Sequence, residues 1–267
     1  MHALPIAKGE VDRIGKRLIA GEASVEDLRA WNQCLIAYDR VRADVVGVIE
    51  TVSWAEVLAG HGSDLNVTSR VKTRGTLVDK LRRQPGSPLS RIQDVAGVRI
   101  DGSMTLDGQD IVSEQLVQRL GGRVIDRREM PIRGYRAVHV IVKVDGLACE
   151  IQIRTSLQHA WANLYERVAD RLGRSIRYAD ESLAGSADDP VERVAPGSVE
   201  AGLIASLTRQ SERIAELEGI GNDWASARVD PATGLRIVSD ETGSSAAAEA
   251  EDLLKILKSV TKRVEEI

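Results

Sequence analysis

The 267-residue sequence predicts one domain of the α/β (α+β) class, with a β-sheet flanked by helices and further helices at both ends of the chain. Apolar residues recur at spacings near three and four over residues 24–57, as in an amphipathic helix. Between residues 96 and 155 they form short apolar runs or alternate with polar residues, as in strands. The hydrophobic fraction of 43% and charged fraction of 28% argue against a disordered or collagen-like chain.

The N-terminal part is predicted to be helical. Trp31 and Leu35 belong to the apolar stripe of residues 24–57, and Ser24-x-x-Asp27 fits a capping box that starts a helix. Shorter elements follow. They are an extended segment at 65–72, a helix at 76–83 ended by residues 84–88, a strand at 96–100, a helix at 107–120 ended by two glycines, and a strand at 123–130.

A β-hairpin centred on Asp145-Gly146 is predicted next, because both positions of a type I′ turn need positive φ. A two-residue turn fixes the register of the two strands. The expected pairs are Val144 with Leu147, His139 with Gln152, and Ile141 with Glu150. Since side chains alternate along a strand, one face then carries polar groups and the other is apolar. The polar face contains His139, Glu150, Gln152 and Arg154, and the apolar face Val138, Val140, Ile151 and Ile153.

The C-terminal part is predicted to contain a helix at 156–172, a mobile loop at about 178–198, and helices at 201–219 and 246–267. The expected organisation is therefore N-terminal helices (1–60), a core (61–175), a mobile loop (176–200) and a C-terminal helical extension (201–267).

The sequence has no secretory leader pattern and no uncharged apolar run long enough to cross a membrane, which predicts a soluble, cytoplasmic protein without a membrane partner. Cys34 and Cys149 are too few and too far apart for a disulfide framework, and are expected to be buried thiols.

A local basic patch at residues 70–99 contrasts with the net charge of −4, since it holds eight Lys or Arg against two Asp and therefore carries +6. Arg70, Lys72 and Lys80 have a spacing that suits a triphosphate, although a solvated basic helix face is an equally good interpretation. Walker A and G-x-G-x-x-G patterns are both missing from the sequence.

Two carboxylates and one tyrosine are candidates for chemistry. Asp94 lies just before a predicted strand and Glu150 lies within one, and Mg²⁺ prefers a few carboxylates together with substrate phosphates. Taken alone, Asp94 also suits a turn, and Glu150 an ion pair with Arg154. Tyr135 suits either stacking on a base or packing in a core.

Five motifs, in order and spacing, resemble the RelA/SpoT synthetase domain over residues 65–171. They are Arg70-Val-Lys72, Lys80-Leu81, Asp94-Val-Ala-Gly97-Val-Arg99, Gly134-Tyr135-Arg136-x-x-His139 and Glu150-Ile-Gln152-Ile-Arg154-Thr155. The resemblance implies a nucleotidyltransferase-like mixed sheet of about five strands, flanked by helices. It also implies an ATP-dependent 3′-pyrophosphotransferase, an enzyme that moves pyrophosphate from ATP to a ribose 3′-hydroxyl.

The resemblance also implies a role for each matching residue. Arg70 and Arg99 would sandwich adenine, Lys72 and Lys80 would bind the ATP phosphates, and Asp94 with Glu150 would bind Mg²⁺ as the catalytic pair. The residues implied to bind the acceptor nucleotide are Tyr135, which would stack on its base, His139, Gln152 and Arg154.

Departures from the family pattern concern hydrolysis and the acceptor. The chain contains no His-Asp dipeptide, so the hydrolase activity of the long bifunctional members is not expected. Arg133 replaces the usual Asn, and Ala137 the usual Ser. The segment 157–162 with Glu166 looks like a branch that includes toxic small synthetases, some of which modify the tRNA 3′ end. His159, within that segment, is interpreted as a helix residue bonded within the fold.

Three hypotheses for the function follow. The first is a GTP or GDP 3′-pyrophosphokinase that makes the alarmones ppGpp and pppGpp. The second is a toxin that pyrophosphorylates the tRNA 3′-CCA end and docks the acceptor stem on the basic patch. The third is an inactive nucleotide-binding module, against which the retained carboxylates and cations argue. The expected partners are ATP, a GDP, GTP or tRNA acceptor, and a second copy of the chain or a neutralising antitoxin.

Overall fold

The computed structural model of the protein describes residues 4–84, 86–172, 199–226, 228–229, 231–235 and 237–266. The predicted loop at 178–198 lies outside the described residues. The helices are α1 (Lys8–Ala20), α2 (Val25–Glu50), α3 (Trp54–Val57), α4 (Arg74–Arg83), α5 (Leu106–Leu120), α6 (Ser156–Leu172), α7 (Val199–Ala225) and α8 (Asp240–Glu266). The strands are β1 (Gly62–Val71), β2 (Ala96–Met104), β3 (Arg123–Asp126), β4 (Val138–Val144) and β5 (Leu147–Thr155).

The long N-terminal helix is confirmed, but its C-terminal end comes earlier than predicted. The capping box is present, since the Ser24 hydroxyl accepts from the Asp27 amide at 3.1 Å and the Asp27 carboxylate accepts from the Ser24 amide at 3.0 Å. Helix α2 ends at Glu50, however, and the separate turn α3 follows. The indole N–H of Trp54 donates to the Ile49 carbonyl at 3.1 Å, which satisfies one of the carbonyls left open at a helix end.

Five strands form a mixed sheet, as the family resemblance implies, and their order is β1-β2-β5-β4-β3. Strands β2 and β5 pair in parallel, and the other neighbouring strands pair in antiparallel. The register of the β4–β5 hairpin is confirmed for every predicted pair: Val144 with Leu147, His139 with Gln152, and Ile141 with Glu150. At its turn, Asp145 has φ 50° and Gly146 φ 82°, the positive values that a type I′ turn requires.

Strand β3 is shorter than predicted, because it ends at Asp126 rather than near residue 130. The Asp126 carboxylate accepts a hydrogen bond from the Arg128 amide at 2.8 Å and also contacts the Arg128 guanidinium. A side chain that bonds the backbone two residues ahead offers an alternative to the ladder, and so ends the strand. Helix α4 begins two residues before the predicted start, with Thr73 as its N-cap.

Two separate hydrophobic clusters hold the fold together. The larger packs the apolar face of the sheet, including Val98 and Ile151, against helices that include α2 and α5. The smaller lies among α6, α7 and α8 and contains Trp161, Leu207 and Leu257. Cys34 and Cys149 lie in the larger cluster as free, buried thiols, as predicted. Burial raises the pKa of Cys34 to about 11, and burial, followed by the charge of Glu150, raises that of Cys149 to about 12.

Helix α7 is hydrogen-bonded to the sheet. Thr155, the last residue of β5, donates its hydroxyl to the Glu218 carboxylate, which also accepts from the Gln158 amide at 3.0 Å. Further along α7, the Asn222 carboxamide accepts from the Asp107 amide at 2.8 Å. Among the helices that the structure describes, none is both long and apolar enough to cross a membrane.

Candidate active site

The polar face of the sheet forms the floor of the site. Strand pairing aligns side chains across neighbouring strands, so residues far apart in the sequence come into rows. One row contains Thr68, Arg99, Gln152 and His139, and the next contains Arg70, Gly97, Glu150 and Ile141. An open cleft lies above the β1, β2 and β5 part of these rows, with Lys72 and Asp94 also in its lining.

Asp94 lies at the end of this cleft, just before β2, where its side chain is 17% exposed. Its Oδ2 atom contacts Nζ of Lys72 and accepts from Nζ of Lys80 at 2.9 Å. Burial raises the pKa of the Asp94 carboxyl, but the charges and hydrogen bonds of the two lysines outweigh burial and leave the pKa below its usual value. Asp94 is therefore ionised at neutral pH.

The second oxygen of Asp94, Oδ1, is buried and has no hydrogen-bond partner in the part of the chain that the structure describes. A buried carboxylate oxygen normally has a partner, so this one is suited to a ligand that is absent from the bare chain. Among those same residues no three His, Cys, Asp or Glu side chains are grouped for metal binding. Two carboxylates beside lysines instead fit Mg²⁺ shared with substrate phosphates.

Glu150 is the second carboxylate, on the adjacent strand β5. Its Oε1 lies 3.2 Å from Nδ1 of His139, and its Oε2 accepts from the Gln152 carboxamide at 2.9 Å. Burial raises the pKa of Glu150, and the nearby Asp94 charge does so as well. The hydrogen bond and charge of His139 oppose both, and the pKa ends below its usual value. Both carboxylates are thus held ionised close to each other, as a cation-binding pair requires.

The acceptor candidates form a closed ring of hydrogen bonds. The ring runs through Glu150, His139, Tyr135, Arg154 and Gln152. The Tyr135 hydroxyl lies 2.9 Å from Nε2 of His139, and Nη2 of Arg154 donates to that hydroxyl at 2.8 Å and to Gln152 at 2.9 Å. When Nδ1 of a neutral His139 donates to Glu150, its Nε2 accepts from the Tyr135 hydroxyl, so every bond in the ring has a donor.

Tyr135 packs against a hydrophobic cluster, whereas its stacking on a base stays a prediction. It is half-buried against the α6–α7–α8 cluster, and the Arg154 guanidinium lies 4.9 Å from its ring centroid. Burial raises the pKa of the phenol, which keeps it protonated at neutral pH. Arg154 itself is 2% exposed, and its Nε and Nη1 have no hydrogen-bond partner within the described ranges.

The predicted adenine pair, Arg70 and Arg99, lines the cleft on the neighbouring strands β1 and β2. Arg70 is exposed, whereas Arg99 is half-buried beneath α6, with its guanidinium 3.8 Å from Glu166. Gly97 leaves the floor open beside Arg70, because a Cβ there would have no neighbour closer than 3.8 Å. The strand surface at Gly97 is therefore not filled by a side chain of its own, and the cleft passes over it.

A second cleft shares Asp94 and Glu150 with the first and adds Lys80, whose ammonium group is bonded to Asp94. Its other lining residues include Arg91 and Gln93, so the polar surface continues past the carboxylates. The structure thus brings the ten predicted site residues together, seven in the lining of the two clefts and three joined to them by the ring of hydrogen bonds. The seven are Arg70, Lys72, Lys80, Asp94, Arg99, Glu150 and Gln152, and the three are Tyr135, His139 and the buried Arg154.

His159 is bonded within the fold, in agreement with its sequence interpretation. Its Nε2 lies 2.7 Å from the Asn163 carboxamide and its Nδ1 lies 3.3 Å from Asp101. Burial lowers its pKa and leaves the ring neutral at pH 7. Sequence reasoning missed Ser211 on α7, which bonds the Gly134 carbonyl from 77 positions away. No short-range pattern indicates such a contact.

The mixed sheet, with two carboxylates and two lysines at one face, agrees with the nucleotidyltransferase-like fold that the resemblance implies. Residues 69–169 match the family described as the region found in RelA / SpoT proteins. The uncharacterized protein Rv1366 of Mycobacterium tuberculosis is 36% identical over 223 residues, which are 82% of this chain and 76% of that protein. The chain belongs to the RelA/SpoT family of pyrophosphotransferases.

Two further comparisons agree with this assignment. The GTP pyrophosphokinase YwaC of Bacillus subtilis is 30% identical over 137 residues, which are 45% of this chain and 65% of that protein. The crystal structure of small alarmone synthetase 1 from Bacillus subtilis, bound to its product pppGpp, superposes with a TM-score of 0.53. The superposition covers 72% of this chain and 94% of that one, at 24% identity, and shows that the two proteins share a fold.

Proposed function

We propose that the protein transfers the β,γ-pyrophosphate of ATP to the 3′-hydroxyl of GDP or GTP and so forms (p)ppGpp. The new bond joins the 3′-oxygen to Pβ, the bond between Pβ and the α,β-bridging oxygen breaks, and AMP and the hydroxyl proton leave. The observation that carries the proposal is that two groups of side chains meet at the two carboxylates. We call the group around Asp94 the donor half-site and the group around Glu150 the acceptor half-site. Asp94 is bonded to Lys72 and Lys80, and Glu150 is bonded to the ring that holds Tyr135. A donor polyphosphate and an acceptor ribose would meet between them. The GTP pyrophosphokinase activity of YwaC, a 30% identical relative, supports the choice of acceptor.

The donor half-site would hold ATP by stacking and by charge. Adenine would lie in the cleft between Arg70 and Arg99, and the triphosphate would follow Lys72 and Lys80. Both lysines already stand at Asp94, so their ammonium groups are in place before ATP binds. This preorganisation matters because phosphoryl-type transfer depends mainly on alignment and on neutralised charge.

Asp94, through its unpartnered Oδ1, and Glu150 would hold Mg²⁺ between ATP and the acceptor. When bound, the metal supplies positive charge against the polyphosphate oxygens. Glu150 itself would accept a hydrogen bond from the attacking 3′-hydroxyl and so orient it. Its lowered pKa keeps the carboxylate ionised for that purpose.

The acceptor half-site would bind a guanine nucleotide through Tyr135, with its base stacked on the ring. His139 and Gln152 would contact the sugar or its phosphates from the floor of the sheet. Because Arg154 is 2% exposed, we assign it an indirect role, in which it orients Tyr135 and Gln152 rather than touching the nucleotide.

A second candidate function is pyrophosphorylation of the tRNA 3′-CCA end. It is favoured by the exposure of three basic side chains on α4, beside the donor residues: Arg74, Arg82 and Arg83. A nucleic-acid acceptor stem would need cations of this kind outside the catalytic cleft. The third hypothesis, an inactive nucleotide-binding module, does not explain why Asp94 and Glu150 are both present, because a module that only binds a nucleotide needs no such pair.

The direct experiment offers ATP labelled in its γ-phosphate to the purified protein with GDP, GTP, ATP or deacylated tRNA, each separately. Label in a guanine nucleotide supports the first proposal, label in tRNA supports the second, and no transfer to any acceptor refutes both. Glu150→Gln is the inactive control, and Glu56→Gln, which changes an exposed carboxylate on α3, is the matched active one.

If tRNA accepts the label, the triple change of Arg74, Arg82 and Arg83 to Ala should weaken its use and reduce its salt sensitivity, because each lost phosphate contact removes counterion release. Unchanged salt dependence would show that the patch is not the docking site. A cytoplasmic location, a homo-oligomer and a neutralising antitoxin partner stay predictions.

A further inference from the structure

Helix α7 holds the backbone turn that carries Tyr135. The Ser211 hydroxyl donates to the Gly134 carbonyl at 2.5 Å and accepts from Nε of Arg136 at 3.2 Å. Arg136 in turn donates to the Arg128 carbonyl. Ser211 is 2% exposed, so water does not replace either bond. One buried hydroxyl therefore bonds residues on both sides of Tyr135 in the sequence.

The same turn is enclosed by side chains. Gly134 has φ 85°, and a Cβ at this position would stand 2.8 Å from the Trp161 ring and 2.9 Å from the Ser211 Cβ. Trp161 cannot easily give way, since its indole N–H donates to the Leu207 carbonyl of α7 at 2.7 Å. The turn thus lies between α6 and α7, and only glycine fits both the space and the backbone angle.

The position of the turn sets the position of the Tyr135 ring. The Tyr135 amide donates to the Ile132 carbonyl at 2.9 Å, and its hydroxyl belongs to the ring of hydrogen bonds that ends at Glu150. A shift of the Gly134 carbonyl would move the phenol away from His139 and Arg154 together. The hydrogen bonds of Ser211 go to the Gly134 carbonyl and to Arg136, the two neighbours of Tyr135 in the sequence, so its influence on the ring passes through the backbone.

We propose that Ser211 is a positioning residue for the acceptor, through which the C-terminal helix α7 holds Tyr135 at the angle that an acceptor base needs. The inference rests on the proposed function for the identity of the acceptor. It goes beyond that function because α7 lies outside the matched family region 69–169. The ATP half-site, on β1, α4 and β2, is independent of this contact.

The decisive variants are Ser211→Ala and Ser211→Cys, because both lose the hydroxyl and the second nearly keeps its volume. Ser206→Ala is the matched control, since it makes the same change at a half-buried position on the same helix. We expect kcat/KM for the acceptor to fall about 3- to 30-fold in both Ser211 variants, because the buried hydroxyl takes part in two hydrogen bonds that both variants lose or weaken. KM for ATP should stay within about twofold, and the control should match the wild type.

Three kinetic results would overturn the inference: an equal loss on the ATP side, a normal Ser211→Cys alongside an impaired Ser211→Ala, or no loss in either variant. The second would mean that packing, not the hydroxyl, matters.

Hydrogen exchange of the backbone amides at residues 132–136 gives a second readout that needs no activity. Exchange should be faster in both Ser211 variants and unchanged in Ser206→Ala. If the wild type transfers pyrophosphate to no acceptor, the proposed function fails. Unchanged exchange in the Ser211 variants would overturn the positioning of the turn, whether or not the enzyme is active.

Discussion

Removing the Tyr135 hydroxyl is a sharper test of the acceptor half-site than removing the whole ring. From the sequence alone, Tyr135→Phe is expected to keep most activity, because the stacking face survives. The structure gives the hydroxyl two partners, Nε2 of His139 at 2.9 Å and Nη2 of Arg154 at 2.8 Å. Phenylalanine would open the ring of hydrogen bonds and release the two side chains on either side of it.

The size of the effect follows from the burial of Arg154. Two of its three nitrogens, Nε and Nη1, already have no partner within the described residues, and Nη2 would keep only the bond to Gln152. Weakening the hydrogen bonding of a buried charged donor costs about 1–3 kcal/mol. If this whole cost appears in the reaction of the acceptor, kcat/KM for the acceptor falls about 5- to 150-fold, since about 1.4 kcal/mol corresponds to tenfold.

Tyr135→Ala should lose the hydroxyl, the stacking surface and the contact with the second hydrophobic cluster together. Its stability should therefore drop by up to about 3–5 kcal/mol, as for other large aromatic truncations, and its acceptor kinetics should be worse than those of Tyr135→Phe. Thermal unfolding and acceptor kinetics measured on both variants separate the two effects.

The assay compares acceptor and ATP kinetics in the same preparation. In Tyr135→Phe, KM for ATP should be unchanged, because the donor residues Lys72 and Lys80 bond to Asp94 and not to the ring. A Tyr135→Phe enzyme with wild-type acceptor kinetics would refute the reasoning that the hydroxyl network positions the acceptor. Wild-type acceptor kinetics in folded Tyr135→Ala would refute stacking as well.

Three further groups of variants test the carboxylates, the proposed ATP-binding residues and a buried glutamate on α7. Asp94→Asn and Glu150→Gln should each abolish transfer with a normal circular dichroism spectrum, and activity near wild type would exclude the metal assignment. Lys72→Ala or Arg99→Ala should raise KM for ATP with every acceptor, measured by label transfer. Burial raises the pKa of Glu218 from 4.5 to about 6, so its ionisation opposes folding. Between about pH 4.5 and 7, the urea-derived unfolding free energy of wild type should fall about 2 kcal/mol relative to Glu218→Gln, and parallel curves would contradict this.

The sequence was sufficient for the local parts of the fold. Asp145-Gly146 determines the register of β4 and β5, and that register places His139, Glu150 and Gln152 on one face of the sheet. Ends of elements were less predictable. Asp126 ends β3 through its own side chain, a competition between a local bond and the ladder that hydrophobic alternation does not reveal.

Contacts between residues far apart in the sequence could not be predicted, for a different reason. The apolar period of α7 predicts that the helix packs, but not against which surface. Ser211 bonds Gly134 across 77 positions, and Thr155 bonds Glu218 across 63, and each contact depends on the whole chain being folded. Tyr135 illustrates the consequence, because the choice between a stacking and a core residue had no basis until its neighbours on α6 and α7 were known.

This division within the site has a physical consequence for the acceptor. The donor half-site lies inside the matched region 69–169, where Lys72 and Lys80 each form a hydrogen bond with Asp94. Tyr135 also belongs to that segment, yet its turn is held by Ser211, which lies outside it. Under the proposed function, changes in α7 would therefore shift the acceptor base without disturbing Lys72 and Lys80, the cations proposed to bind ATP. A chain with this arrangement could keep the proposed donor half-site and differ in its acceptor, and α7 is where such a difference would arise.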